Sequence, residues 1–443
     1  MHEVAELERG ALRAETLGLG LEEAKDLLAQ VQDVMVAEQV RRCLVQRVGC
    51  PDCGKARRHK DARTITVHTL FGVLRLRSPR WHHCACRPHA TKTFSPLAEV
   101  LPERASPELL YLEAKFAGLV SYGLGASLLS ELLPLGRRLH AMTVRRHVQA
   151  TAQRVEDELG PEQAMFIEGC PGDWEDLPRP DLPLTVGLDG GYVHASKQRS
   201  RREGWFEVIA GKSMPAEGEA KSFGFVQTYD TKPKRRLFEL LKAQGMQMNQ
   251  QVTFLTDGGG DVRELPLYLN PQAEHLIDWF HITMRLTVMG QMAKGLGGDS
   301  AVEVAEELER LKWFLWHGNV FRALQVIGDL EMDLHVEGAG PAQRKLRKTV
   351  VEFGGYIRAN VKWIPNYGER YRAGEAISNA FVESAVNQVV SKRMVKKQQM
   401  RWTAKGAHLL LQVRTRVLND ELGDAFRRWY PEFVSAPKVA LAA

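Results

Sequence analysis

The sequence predicts an α+β chain of several domains. Three observations predict it: helical apolar spacing before Gly49 gives way to β-type alternation, three strand-like runs lead into strand and helix alternation, and a helical stretch precedes a last helical block. Strands followed by strand and helix alternation imply an α/β core with a mixed sheet. At 443 residues the chain has length for two to four domains, each able to bury its own core. The expected segments are an N-terminal amphipathic helix (1–45), a β-hairpin module (46–95), a helical domain (96–168), a Pro-rich linker (169–183), the first part of the α/β core (184–280), a helical stretch (281–372) and the closing helices with a basic tail (373–443).

Leu21, Leu27, Leu28, Val31, Val34 and Met35 recur at helical spacing with charges between them, which gives the first helix. RTITVHTLFGVLRLRSPRW alternates around Phe71-Gly72 and reads as a hairpin. Residues 107–158 return to helix, with turn signals at Ser121-Tyr122-Gly123 and Pro134-Leu135-Gly136. The strand-like runs cover 183–195, 205–214 and 222–230, a helix begins at Lys232, and QVTFLTDGGGD and EHLIDWF add two short apolar runs. The last helical block is expected from about Ser378 to Asn419.

Composition removes several classes: 44% hydrophobic, 26% charged and 8% aromatic residues fit a folded globular protein and neither a collagen-like nor a disordered chain. No apolar run approaches the roughly 18–20 residues that cross a bilayer. The acidic, amphipathic start lacks a signal peptide's basic head and apolar run, so a cytoplasmic location and no membrane partner are expected. Net charge is only +6, but residues 1–40 carry −6, residues 41–92 carry +11 and residues 384–443 carry +7. Two separate basic segments point to a polyanion, and nucleic acid is the natural one.

Cys50-Pro-Asp-Cys53-Gly and Cys84-Ala-Cys86 stand at the two ends of the expected hairpin, thirty residues apart. Four thiolates so placed suit one tetrahedral, structural Zn²⁺. The one-residue gap of the second pair leaves room for His82, His83 or His89 in place of one cysteine. Cys43 and Cys170 are isolated and read as ordinary buried thiols. Downstream, SYGLGASLLSELLPLGRRLHAMTVRRHVQATAQR predicts a helix-turn-helix-like pair, with Thr143 as N-cap and Arg145 and Arg146 near the start of a recognition helix.

The acidic residues carry the sharper signal. Asp189 lies inside an apolar strand-like run and Asp257 ends another. Each alone suits a turn, yet a carboxylate within an apolar strand costs several kcal/mol unless it is paired, protonated or metal-bound, as an order of magnitude. Two such groups with a third from a packed helix would form an oxygen-rich site for two Mg²⁺ and in-line phosphoryl transfer. Glu375 and Glu383 are both candidates for the third. Asp278 and His281 read as a capping residue and a core histidine, and Trp313, Trp316 and Trp363 as core side chains or base-stacking platforms. The run Lys392-Arg393-Met-Val-Lys396-Lys397 supplies cations that could guide phosphates.

The chain resembles the ISKra-type insertion-sequence transposases of the DDE, RNase H-like class. The likeness runs along nearly its whole length, on LEEAKDLLAQVQ, CPDCG with HHCAC, VGLDGGYV, FLTDGGGDVR, HLIDWFHITMR, ISNAFVESAVNQVVSKRMVKKQQMRW and GAHLLLQVRTRVLN. Asp-Trp-Phe-His at 278–281 also resembles an Asp-x-x-His signature of several such superfamilies. Matched residue by residue, the resemblance implies a catalytic triad of Asp189, Asp257 and Glu383 holding two Mg²⁺ (or Mn²⁺), an RNase H-like core, and an all-α insertion at 281–372. His281 and Arg285 would then face the cleft and touch phosphate. It implies an enzyme acting on double-stranded DNA, both element ends and target, as a dimer or larger assembly, in the cytoplasm with the nucleoid. The rivals are a nuclease of the same fold without strand transfer and a non-catalytic, domesticated zinc and helix-turn-helix regulator.

Overall fold

The computed structural model describes residues 12–14, 17–86, 91–178, 180, 183–196, 204–259, 265–378, 384–395 and 400–434. Two compact units emerge, one of residues 1–155 with 416–443 and one of residues 156–415. Among the described residues no helix is long and apolar enough to cross a membrane.

In the first unit, helix α1 (Leu21–Arg47) opens with Glu22 and Glu23, whose charge suits the positive end of the helix, and Glu23 accepts the Gly20 amide at 2.8 Å. None of its residues is buried. Strands β1 (His59–Thr69) and β2 (Gly72–His82) form the expected hairpin, closed where Thr69 pairs with Gly72. Gly72 takes φ +139°, which L side chains rarely adopt. Ile65, Val67 and Leu74 are buried, while Thr64, Thr66, Arg75 and Arg77 lie exposed on the other face, as strand periodicity requires. β3 (Thr93–Phe94) completes this sheet, followed by α2 (Pro96–Val100), α3 (Pro107–Leu119) and α4 (Tyr122–Leu132), each capped by a serine.

Helix α5 (Ala141–Glu158) starts before the expected cap. The His140 carbonyl already accepts the amides of Thr143 and Val144, so Thr143 lies in the first turn and does not cap it. Residues 133–140 join α4 to α5, a longer connection than the 3–4 residues of a typical helix-turn-helix. The helix Leu422–Trp429 belongs to this unit, where Phe426 meets the Tyr111 ring at 5.4 Å.

The second unit is built on a five-stranded mixed sheet. After α6 (Pro171–Glu175), which occupies part of the Pro-rich stretch, come β4 (Leu184–His194), β5 (Trp205–Met214), β6 (Lys221–Val226), α7 (Pro233–Ala243), β7 (Val252–Thr256) and β8 (Ala273–Ile277). The strand order is β6-β5-β4-β7-β8, and only β5 runs against the others. Leu184, Val186 and Leu188 share one core with Leu237, Phe238 and Leu241 of α7. On the opposite face Val389 and Leu411 close on Gly224, from the π-helix Asn387–Val395 and the helix Ala404–Leu418.

The closing helical block is therefore not continuous. Buried Trp402 breaks it, its amide donating to the His194 carbonyl and its own carbonyl accepting the Ser196 amide, so the chain runs beside the end of β4. Residues 279–372 form α8 (Trp279–Lys294), α9 (Gly298–Trp316), α10 (Val320–Asp333), α11 (Pro341–Ala359) and α12 (Tyr367–Arg372) around a core that includes Ile282, Leu311, Val326 and Phe353.

A buried ionic knot ties three helices to the chain that follows β6. The Arg236 guanidinium donates to Asp230 at 2.8 Å, Glu156 at 2.9 Å and Gln412 at 2.7 Å, and His408 lies 3.4 Å from Glu156. Glu156, Asp230 and His408 are spaced closely enough to suggest a metal site, but Arg236 already supplies the cation at their centre. Burial opposes the charge on Glu156, yet hydrogen bonds from His408 and Arg236 outweigh it and hold its carboxyl down to about 2. Its folded value lies below the ordinary 4.5, so the stability it confers is present above about pH 4.5 and is lost as pH falls toward 2, at most about 3 kcal/mol. Arg236→Met should cost more, about 3–5 kcal/mol, because two buried carboxylates lose their cation. Urea denaturation at pH 7 and pH 3 checks both. An unchanged midpoint in Arg236→Met at pH 7 would contradict the knot's role.

Candidate functional site

The parallel register of the second unit's sheet aligns three aspartates. β4 pairs Gly187 with Leu255 of β7, so Asp189 falls level with Asp257, the residue after β7. β8 pairs Ile277 with Thr256, which puts Asp278 level with Asp257. Three carboxylates thus stand in a row across neighbouring strands, toward the carboxyl ends of β7 and β8, where open α/β sheets place their ligands.

Each is fixed locally. Asp189 is half-buried and its Oδ1 accepts the Gly190 amide at 2.7 Å. Burial raises its pKa, His281 opposes that rise, and the charges of Asp257 and Asp278 add to it. Asp257 Oδ1 accepts the Gly259 amide at 2.9 Å, and the Asp257 carbonyl accepts the Tyr356 hydroxyl at 3.0 Å. Between them Gly258 takes φ +86°, with the Asn360 side chain 2.8 Å from where a Cβ would be, so only glycine fits this turn. Asp278 is fully buried and caps α8, accepting the Phe280 amide at 2.8 Å, while its other oxygen is 3.7 Å from His281 Nε2. The capping role expected of Asp278 is correct. Its alignment with Asp189 and Asp257 follows from strand register, and the Asp-x-x-His spacing was the one sequence signal for it.

Of the remaining residues singled out, Glu383, Lys396 and Lys397 lie outside the described residues. The described helical segment from residue 384 packs on the Asp189 face of the sheet: Val386 and Val390 approach Gly191, two residues from Asp189 on the same strand. Glu375 accepts from Arg370 at 2.8 Å, and Arg370 also holds Glu274. Exposed Arg285 stacks over the Tyr356 ring at 4.2 Å and so reaches the Asp257 turn through that tyrosine. Lys392 is exposed. Arg393 is not a surface cation: it is fully buried, its guanidinium 5.6 Å from the Trp402 ring, because the break at Trp402 folds back over it.

Trp316 packs against Trp279 at 5.1 Å and Trp363 against His275 at 5.0 Å, both within the fold, whereas Trp313 is exposed. Arg145 is half-buried and Arg146 exposed on α5.

The first unit holds a second candidate site. The sulfurs of Cys50, Cys53, Cys84 and Cys86 all lie within 4.8 Å of one another, with Cys50 to Cys86 at 3.5 Å and Cys53 to Cys84 at 3.4 Å. Four soft donors at these separations fit one zinc ion, whose Zn–S bonds are about 2.3 Å. The knuckle is folded for it: the Gly54 amide donates to the Cys50 carbonyl at 2.9 Å, and Gly54 adopts φ +71°. Amides of Cys53 and Asp52 hold the Cys50 thiol down to about 6, and hydrogen bonding to Cys84 and Cys50 pushes Cys86 up to about 12. Four thiolates need a cation to coexist. His83 instead stacks on Phe94 at 4.8 Å, His82 lies outside the four-sulfur cluster, and His89 is outside the described residues. Cys43 is half-buried and Cys170 exposed, so neither is the buried thiol expected. No family model matches this chain, and a search of characterised proteins finds no relative.

Proposed function

We propose that the protein is a DDE transposase, which binds the ends of an insertion sequence, cuts phosphodiester bonds and joins the freed 3′-hydroxyls to target DNA. The observation that carries the reading is the row of Asp189, Asp257 and Asp278 across adjacent strands, with a helix packed on the Asp189 face beside it. The sheet order, with a three-strand antiparallel meander, two further parallel strands and only the second strand reversed, supports the assignment of an RNase H-like core. The helices α8–α12 match the expected all-α insertion in position.

Asp189, Asp257 and Glu383 are the proposed metal ligands. A pair of Mg²⁺ ions bound there would supply the acidity that activates water or a 3′-hydroxyl and the charge that stabilises the leaving oxygen. The chain's own part is to hold the carboxylates rigid: Gly190 and Gly259 amides orient Asp189 and Asp257, Tyr356 fixes the Asp257 backbone, and buried Asp278 starts α8 and holds His281, whose charge opposes the rise in the Asp189 pKa. Arg285 and Lys392 are the exposed cations assigned to phosphate.

DNA recognition is assigned to the first unit, whose hairpin exposes Arg75 and Arg77 on one face and whose α5 carries Arg145 and Arg146. End binding should weaken steeply as salt rises. Arg145→Ala should lower affinity for element ends more than for random DNA, read by electrophoretic mobility shift at two salt concentrations. Equal loss on both DNAs would reduce Arg145 to a phosphate contact. An assay that scores covalent joining of end DNA to a plasmid tests the function itself: a transposase joins, a nuclease only cuts, and a regulator does neither.

A further inference from the structure

The first unit contains a cavity of about 300 Å³, apart from the cysteine cluster. Its walls come from the end of β1, the chain before α3, helix α5 and the returning helix Leu422–Trp429. Four arginines line it, Arg104, Arg137, Arg146 and Arg154, against one carboxylate, Glu103. That carboxylate is already engaged. Arg154 lies 3.5 Å from it and the Tyr430 hydroxyl donates to it, so among the described residues no carboxylate pairs with Arg104, Arg137 or Arg146. Unneutralised guanidinium groups converging on one concave wall are a receptor for an anion, and phosphate suits their fork geometry.

Two histidines refine the chemistry. Glu113, fully buried, lies 2.5 Å from His147 Nδ1, which fixes the ring and leaves Nε2 for a ligand on the cavity wall. His68 is held by its own backbone, its amide donating to the Arg104 carbonyl and its carbonyl accepting the Ser106 amide. Its Nδ1 is buried and, among the described residues, has no hydrogen-bond partner. The remaining wall is flat and aromatic. The Arg154 guanidinium lies 4.4 Å from the Trp429 ring centroid and 5.2 Å from that of Tyr430, and layered guanidinium and indole surfaces are the platform on which unstacked nucleobases rest. The volume is at the lower end of the roughly 300–1,000 Å³ of small-molecule pockets, which suits one nucleotide.

We infer that this cavity binds a single phosphorylated nucleotide, its phosphate held by Arg137, Arg146 and His147 and its base laid against the Arg154 and Trp429 platform. The ligand is a free nucleotide or one nucleotide unstacked from a DNA strand. The inference does not depend on the carboxylate site, and its test does not read cleavage.

The test titrates the full-length protein by calorimetry with each of the four deoxynucleoside 5′-monophosphates, the matching nucleosides, inorganic phosphate and a short single-stranded oligothymidylate. Saturable binding of at least one monophosphate is expected, at least tenfold tighter than its nucleoside or inorganic phosphate. Arg146→Ala, at an exposed position, should weaken it tenfold or more with an unchanged melting temperature, and Trp429→Ala should weaken the monophosphate more than inorganic phosphate. If the oligonucleotide binds in the same Arg146-dependent manner and competes with the monophosphate, the source is a strand; if its binding ignores Arg146, the source is a free nucleotide. No saturable binding by any monophosphate or the oligonucleotide would overturn the proposal. So would phosphate binding as tight as the monophosphate's and indifferent to Trp429→Ala, which would leave a bare anion site.

Discussion

Asp189→Asn and Asp257→Asn should each lower Mg²⁺-dependent cleavage of element-end DNA by at least a thousandfold while end binding and folding persist. Each change removes one anionic oxygen from a site that must concentrate divalent cations, and misplacement of the attacking oxygen alone costs orders of magnitude. Stability should change little or rise, because burial raises the Asp189 pKa and an amide avoids that penalty. Glu383→Gln should behave as the two aspartate variants do. Glu375→Gln is the control, since Glu375 pairs with Arg370 and should influence only stability, by about 1 kcal/mol or less. Cleavage assays and melting curves on the four variants separate these roles. Activity lost in Glu375→Gln and kept in Glu383→Gln would move the third ligand.

Cys50→Ser should release the metal and unfold much of the hairpin module. The four sulfurs join the knuckle before β1 to the turn after β2, adding a cross-link at the hairpin's open end to the β3 pairing and the His82 amide bond to the Arg58 carbonyl. Structural zinc contributes roughly 10–16 kcal/mol of apparent binding energy in small zinc domains, so its loss exceeds what so small a core replaces. Metal analysis of the reduced protein should give about one zinc per chain, and strong chelator should abolish the first unit's melting transition. A melting curve indifferent to chelator in zinc-free protein would contradict this.

Local patterns were readable and long-range ones were not. Strands β4–β8 could be placed because apolar runs bounded by glycine and polar turns have few alternatives, and the hairpin because alternation fixes which residues face inward. The two cysteine pairs were legible because spacing and chemistry coincide. Asp278 joined the aspartate row only through the parallel pairing of β7 with β8, a contact no local period encodes. Arg393 looked like one more cation in a basic run, and its burial depends on Trp402 interrupting the last helix. The knot around Arg236 draws on residues from 156 to 412, and the cavity in the first unit needs the helix Leu422–Trp429 beside α5, so neither could be read from neighbouring positions.

The activity proposed for the carboxylate site is strand transfer. The most direct measurement incubates the protein with DNA carrying the sequences that flank its reading frame, a supercoiled target plasmid and Mg²⁺, and scores covalent joining of end DNA to the plasmid. Joined product should form with the unaltered chain and be absent with Asp189→Asn. Cutting without joining would make the protein a nuclease, and joining that survives Asp189→Asn would contradict the assignment of the site.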